Sequence, residues 1–221
     1  MKKGLFSQEE YAQQIICWVT EQLNKEQRAV TVGVSNRHVH LDRADMDILF
    51  GHGSELTVKK MLGQPGQYAA EETVTLRGPK GELNRVRVLG PLRHETQVEI
   101  SKGDGFTLGI DPPVRESGMT EGTPGIEIIG PSGSVKITHG VIVAKRHIHM
   151  TPMDAIQFGV YDKQMISVDI DGTRGARLNN VLIRVSQDYA LKMHIDVEEA
   201  NALGVETGDN AFMVLPRLQV Q

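Results

Sequence analysis

Two short phrases, NRHVHL at 36–41 and KRHIHM at 145–150, set His38/His40 behind Arg37 and His147/His149 behind Arg146 in a chain with only eight histidines. In an extended strand, residues i and i+2 point to one face with Cα atoms about 6.6 Å apart, so both imidazoles of a pair can reach one metal ion. Helical backbone at the same spacing would splay the rings. The plainer alternative is that two related halves retain a structural turn whose histidines pack on their neighbours. Two imidazoles complete only half of a tetrahedral zinc shell, so further donors are needed. Strand parity supplies candidates. In LKMHIDV, Leu191, Met193 and Ile195 share one face while Lys192, His194 and Asp196 share the other. In QVEIS, Val98 and Ile100 are core-like and Gln97, Glu99 and Ser101 lie opposite. His194 and Glu99 are therefore candidate third ligands, each with a solvated strand residue as its alternative. His52, His94 and His139 adjoin glycines or turn-like segments and are left outside the site.

Cations gather near these groups. NRVRVLGPLR alternates Arg85, Val86, Arg87 and Val88, which puts two guanidinium groups on one strand face, and Arg93 follows a Gly-Pro turn shortly before Glu99. Lys80 sits in the turn GPKG. Arginine matches phosphate oxygens bidentately, so an anion site is the functional reading and an ordinary basic strand the other. No glycine-rich phosphate loop or dinucleotide fingerprint occurs, which leaves any phosphate to arginine and metal.

The elements that must carry these residues repeat. A shift of 109 positions lays VGVSNRHVHLDRADM over VIVAKRHIHMTPMDA, matching Val32 with Val141, Val34 with Val143 and Asp45 with Asp154. Asp42, Asp45 and Gly51 mark a short capped helix after the first pair; Thr151, Pro152, Asp154 and Gly159 mark another after the second. β-rich runs such as TVGVS, ETVTLRG, TQVEIS, GIEIIG, SVKITHG, MISVDIDG and NVLIRVS are punctuated by Gly and Pro turns. The expected fold is mainly β: two similar β-barrel domains with short capping helices. Residues 111–125 and 62–72 read as long loops, a length that in compact domains usually serves function. Ser7 with Glu10, then Tyr11, Ile15, Ile16, Val19 and Leu23, predicts an amphipathic N-terminal helix, either packed on the body or used for docking.

Whole-chain properties narrow the classes. With 221 residues, 39% hydrophobic and 24% charged, the chain has the composition of a globular protein, and no apolar run approaches a membrane span. A net charge of -4 and 5% aromatic residues give nucleic acid little to hold. The single cysteine, Cys17, excludes an internal disulfide, and with no leader-like opening the expected location is cytoplasmic.

VGVSNRHVHL, QPGQYAAEETVTLRGPKG, VRVLGPLR, TQVEIS, GTPGI, GVIVAKRHIHM and MHIDVEEAN closely resemble the PduL-type phosphate propanoyltransferases, phosphotransacylases of propanediol or ethanolamine breakdown in bacterial microcompartments. The resemblance runs from about Val30 to Val214. It implies interconversion of an acyl-CoA (propanoyl-CoA or acetyl-CoA) and inorganic phosphate with an acyl phosphate and CoA; because Cys17 lies outside the repeated architecture, direct attack of phosphate without an acyl-enzyme is expected. It also implies two zinc ions per subunit, one held by His38, His40 and Glu99, the other by His147, His149 and His194. Arg93 would bind phosphate and act in catalysis, while Val34, Ser35, Lys80, Arg87 and Asn201 would meet CoA. The implied division is an N-terminal helix at 1–28, one discontinuous barrel from 29–36 plus 145–221, and a second barrel at 37–144. A homodimer or higher homo-oligomer is implied, as is a docking role for the N-terminal helix toward microcompartment shell or cargo proteins. A dinuclear zinc hydrolase would use the same ligands and is the alternative.

Overall fold

A computed structural model describes residues 25–214 together with Ala12, Gln13, Ile15, Ile16, Val19 and Leu23. The expected N-terminal helix and Cys17 fall largely or wholly outside these residues.

The chain runs β1 (Ala29–Ser35), β2 (His38–His40), α1 (Arg43–Phe50), β3 (Val58–Met61), β4 (Tyr68–Arg77), β5 (Glu82–Gly90), β6 (Gln97–Glu99), α2 (Lys102–Leu108) and β7 (Val114–Arg115). It continues through β8 (Ile126–Ile129), β9 (Ser134–Ile137), β10 (Val141–Ala144), β11 (His147–Met150), α3 (Pro152–Phe158), β12 (Met165–Ile170), β13 (Ala176–Val185), β14 (Lys192–Asp196), α4 (Val197–Leu203) and β15 (Asn210–Val214). Six strands close a barrel in the order β1-β14-β11-β13-β12-β15, and β15 returns to β1 antiparallel. The other sheet runs β7-β10-β6-β2-β5-β4-β8-β9, with β3 beside β4.

The expected second barrel is thus a curled open sheet. β8 occupies beside β4 the place that β15 occupies beside β12, but β8 pairs onward with β9 rather than with β10. The free side of β10 takes only the two residues of β7. Around this gap stand Pro112, Pro113 and Pro124, none of which has an N–H to extend a ladder. The chain meets β10 there through isolated bonds, Val141 N–H to Pro124 O at 3.0 Å and Val143 N–H to Pro113 O at 3.0 Å.

The internal repeat is visible in the pairing. β2 lies between β5 (parallel) and β6 (antiparallel); β11 lies between β13 (parallel) and β14 (antiparallel). β1 joins the barrel and leads into β2 of the open sheet, whereas β10 joins the open sheet and leads into β11 of the barrel. The halves have exchanged strands. Each sheet buries its own apolar core, with Ile148, Ile183, Met193 and Ile195 in the barrel and Val39, Leu76, Val88 and Ile128 in the other.

Among the described residues, four short helices stop where their caps dictate. Asp42 accepts from the Asp45 N–H at 2.8 Å, and Thr151 and Asp154 form a reciprocal capping box before Pro152, as expected. Asp196 with Glu199 caps α4 in the same way. Helix α2 is concealed in the sequence by Gly103 and Gly105, and its start is fixed by the Ser101/Asp104 box. Two expected loops contain strands: 68–72 is drawn into β4 by pairing with β3 and β5, and 114–115 becomes β7.

The exchanged connections are clamped by matching ion pairs. Arg37 reaches Asp104 Oδ1 at 2.9 Å and Arg146 reaches Glu199 Oε1 at 3.0 Å, each acid being the third residue of a capped helix. Between α2 and α4, Glu198 Oε1 accepts from Ser101 Oγ at 2.9 Å and from the Gly103 N–H at 2.8 Å. Asp104→Ala should therefore cost about 2 kcal/mol in urea unfolding by losing cap and ion pair together, and Asp104→Asn, which keeps the cap, should cost less.

Candidate active site

The register delivers the side chains. His38 stands directly opposite Glu99 across β2–β6, and His147 directly opposite His194 across β11–β14. With His40 and His149 two residues on, each sheet presents one triad: His38, His40, Glu99 and His147, His149, His194. Within each triad the donor atoms all lie within 4.8 Å of one another. The imidazoles of His147 and His149 have centroids 4.5 Å apart, and each lies 5.1 Å from that of His194.

Matching second bonds orient the first ring of each pair. His38 Nδ1 lies 2.8 Å from Asn36 O and His147 Nδ1 lies 2.8 Å from Lys145 O. A carbonyl can only accept, so Nδ1 carries a proton, and in the neutral ring Nε2 keeps the lone pair a metal needs. His38 Nε2 lies 3.4 Å and His40 Nε2 4.0 Å from the Glu99 carboxylate. Glu99 accepts from Gln97 Nε2 at 2.7 Å and from Ser117 Oγ at 2.9 Å.

Both triads line one cleft of about 590 Å³ between the sheets, together with Val34, Ser35, Arg87, Arg93, Arg184 and Tyr189 among others. Burial pushes His149 down to about 2 and His194 to about 3, with neighbouring His147 adding to each. Burial also lowers His147, and it lowers His40 with the help of His38 and Arg93. Burial raises the Glu99 carboxyl, but His38, Arg93 and the Ser117 hydroxyl outweigh it and hold the group below the usual carboxylate range. His38 also acts on His194 and His147 on Glu99, so the triads face one another closely enough to interact.

The donors fit metal ions. Both ring nitrogens of His149, Nε2 of His194 and Nδ1 of His40 are buried without a hydrogen-bond partner. Such atoms are costly unless something bonds to them, and neutral imidazole with carboxylate is a donor set that zinc accepts.

Of the other expected residues, Val34, Ser35, Arg87 and Arg93 line the cleft, whereas Lys80 and Asn201 are not among its lining residues. Lys80 instead packs at the end of α2, its backbone N–H donating to Leu108 O at 3.1 Å. Arg85, at φ 56°, stands where the β4–β5 pairing is irregular and does not share the cleft with Arg87. Arg184, Tyr189, Ser117 and Lys192 enter the cleft without having been singled out. For Arg184 a signal existed: in NVLIRVS, Val181, Ile183 and Val185 turn to the core, so parity turns Arg184 the other way, as it does His194.

The cleft between the two β-sheets is thus rich in cations, and it holds two triads whose donors could bind metal. Residues 31–206 match the family model for phosphate propanoyltransferase, and the chain belongs to that family. It is 61% identical over 180 residues to the phosphate propanoyltransferase of Rhodopseudomonas palustris, covering 81% of this chain and 80% of the relative. Identity to that of Thermotoga maritima is 57% over 194 residues, 87% of this chain and 92% of the relative. For the Enterococcus faecalis protein of the same name it is 45% over 210 residues, 95% and 98% of the two chains. Among the described residues no helix is long and apolar enough to cross a membrane.

Replacing His147 and His149 together by Ala should remove about half of the zinc bound by reconstituted protein, read by elemental analysis, because the opposite triad has its own donors. Unchanged metal content would rule out the barrel-side triad as a metal site.

Proposed function

We propose that this protein is a phosphate acyltransferase that converts a short-chain acyl-CoA, propanoyl-CoA or acetyl-CoA, and inorganic phosphate to acyl phosphate and CoA. The observation that carries this reading is the meeting of two facing donor triads and half-buried Arg93 in one cleft, in a chain of this family.

The reaction sets modest demands on proton transfer. Phosphate near neutral pH is largely a dianion and can attack the thioester carbonyl directly; the carbon–sulfur bond breaks and CoA leaves as thiolate. What the protein must supply is approach and alignment of two negatively charged reactants, an effect that can reach several kcal/mol. Arg93 is the phosphate-binding and catalytic residue in this scheme. Its backbone N–H is tied to Leu41 O at 2.8 Å and its Nη1 donates to Ser117 Oγ at 3.1 Å, so the guanidinium is aimed before substrate arrives. Burial lowers its pKa and Glu99 counters that, which keeps the positive charge in a partly dehydrated setting where it acts strongly on phosphate. Val34, Ser35 and Arg87 would hold CoA along the cleft, while Lys80 and Asn201, outside it, are proposed as CoA contacts on the family resemblance alone.

Two zinc ions are the cofactors of this reading, the first held by His38, His40 and Glu99 and the second by His147, His149 and His194. Zinc bound there would supply Lewis-acid polarisation and an affinity for thiolate sulfur. The same reading divides the chain into a discontinuous domain of 29–36 plus 145–221 and a domain of 37–144, after a separate segment at 1–28. A homodimer or higher homo-oligomer, a cytoplasmic or microcompartment location, a role in propanediol or ethanolamine breakdown and a docking role for the N-terminal segment belong to the same proposal.

The deciding assay follows CoA release from propanoyl-CoA and acetyl-CoA with and without phosphate. Release that requires phosphate and stops with a chelator is expected; phosphate-independent release would identify a hydrolase and reject the transferase. Arg93→Ala should raise the phosphate concentration for half-saturation by about tenfold or more with little change for acyl-CoA. The opposite split would move Arg93 to the CoA side.

A further inference from the structure

Two guanidinium groups face the same part of the cleft, and one short piece of chain holds both. Arg93, after β5, donates to Ser117 Oγ at 3.1 Å; Arg184, on β13 of the barrel, is paired through Nε with Glu116 Oε1 at 3.2 Å. Glu116 and Ser117 are consecutive in the 111–125 stretch, so two adjacent side chains hold an arginine from each half of the cleft. The piece is itself fixed, since Ser117 Oγ donates to Glu99 Oε1 at 2.9 Å and the Gly118 N–H donates to Gln97 Oε1 at 2.7 Å. Lys163, not a lining residue of the cleft, also pairs with Glu116.

Arg184 stands opposite His149 in the β11–β13 register and its side chain is 18% exposed. Its guanidinium carbon lies 5.7 Å from the centre of the Tyr189 ring. Glu116 engages Nε, and among the described residues no other acid pairs with Arg184. It lines the same cleft as Arg93 and the three histidines of the barrel triad, and its positive charge bears on all four. Like charges held side by side in a cleft repel, and a ligand carrying two negative charges relieves both.

We infer that Arg184 is a second phosphate-binding residue, closing on the dianion from the barrel side while Arg93 closes from the other, and that Glu116 is the positioning residue that aims it. This rests on the phosphate acyltransferase reading. Arg184 touches phosphate oxygens through its terminal nitrogens; Glu116 acts only through Arg184.

The test is steady-state kinetics on the metal-loaded, full-length enzyme, varying phosphate at saturating propanoyl-CoA and then the reverse. Arg184→Met should raise half-saturation for phosphate by about tenfold or more while that for propanoyl-CoA changes by less than about twofold. Arg184→Lys, which keeps the charge but loses the fork, should show the same split to a smaller degree and covers the case in which the methionine variant does not fold. Glu116→Gln should raise half-saturation for phosphate selectively, and Lys163→Met, which removes the other partner of the same carboxylate, should not. A normal phosphate response in a folded Arg184 variant, or equal loss for both substrates, would overturn the inference. Phosphate-independent CoA release by the unmodified enzyme would instead show that the underlying reading is at fault.

Discussion

Everything in the cleft depends on one pairing constraint: each His-x-His strand lies antiparallel to a strand whose ligand-bearing residue falls directly across from the first histidine. His38 faces Glu99 and His147 faces His194 because the registers of β2–β6 and β11–β14 are equivalent. A slip of one residue would turn every one of these side chains into the core. The register is in turn held by what lies on the opposite face, where Val39 and Val98 in one sheet and Ile148 and Met193 in the other are fully buried. Apolar packing on one side of a strand thus sets the chemistry on the other.

The repeat divides labour as well as architecture. Equivalent positions carry a carboxylate in one half and an imidazole in the other, so one triad includes an acidic donor that its counterpart lacks. Burial then acts on them differently. It holds the barrel histidines neutral and ready as donors, while His38, Arg93 and Ser117 keep Glu99 ionised despite its enclosure. A surface with the same residues would hold neither state as firmly, because water would level the differences.

Much of the site was legible before any coordinates because strand periodicity is simple. The histidine pairs, His194 and Glu99 follow from parity, and the short helices after each pair follow from their caps. Closure was not legible. Whether a curled sheet joins its last strand to its first depends on pairing between β8 and β10, segments whose individual patterns look like ordinary strands. The three prolines near that gap are informative only once the gap is known. Arg85 was misplaced because a left-handed backbone at that residue interrupts the alternation. Arg184 carried a readable signal, but its partner Glu116 lies in irregular chain from the other half, and no periodicity links the two.

The strand exchange has a mechanical meaning. β1 and β10 each belong to one sheet and feed directly into a histidine strand of the other, so two covalent crossings, at 36–37 and 145–146, join the sheets that form the cleft. Most two-lobed proteins are joined along one side and swing about it. Here the crossings act like two rivets through a pair of plates, each reinforced by an Arg37 or Arg146 clamp. Plates fastened at two points have less freedom to part than plates hinged along a single edge.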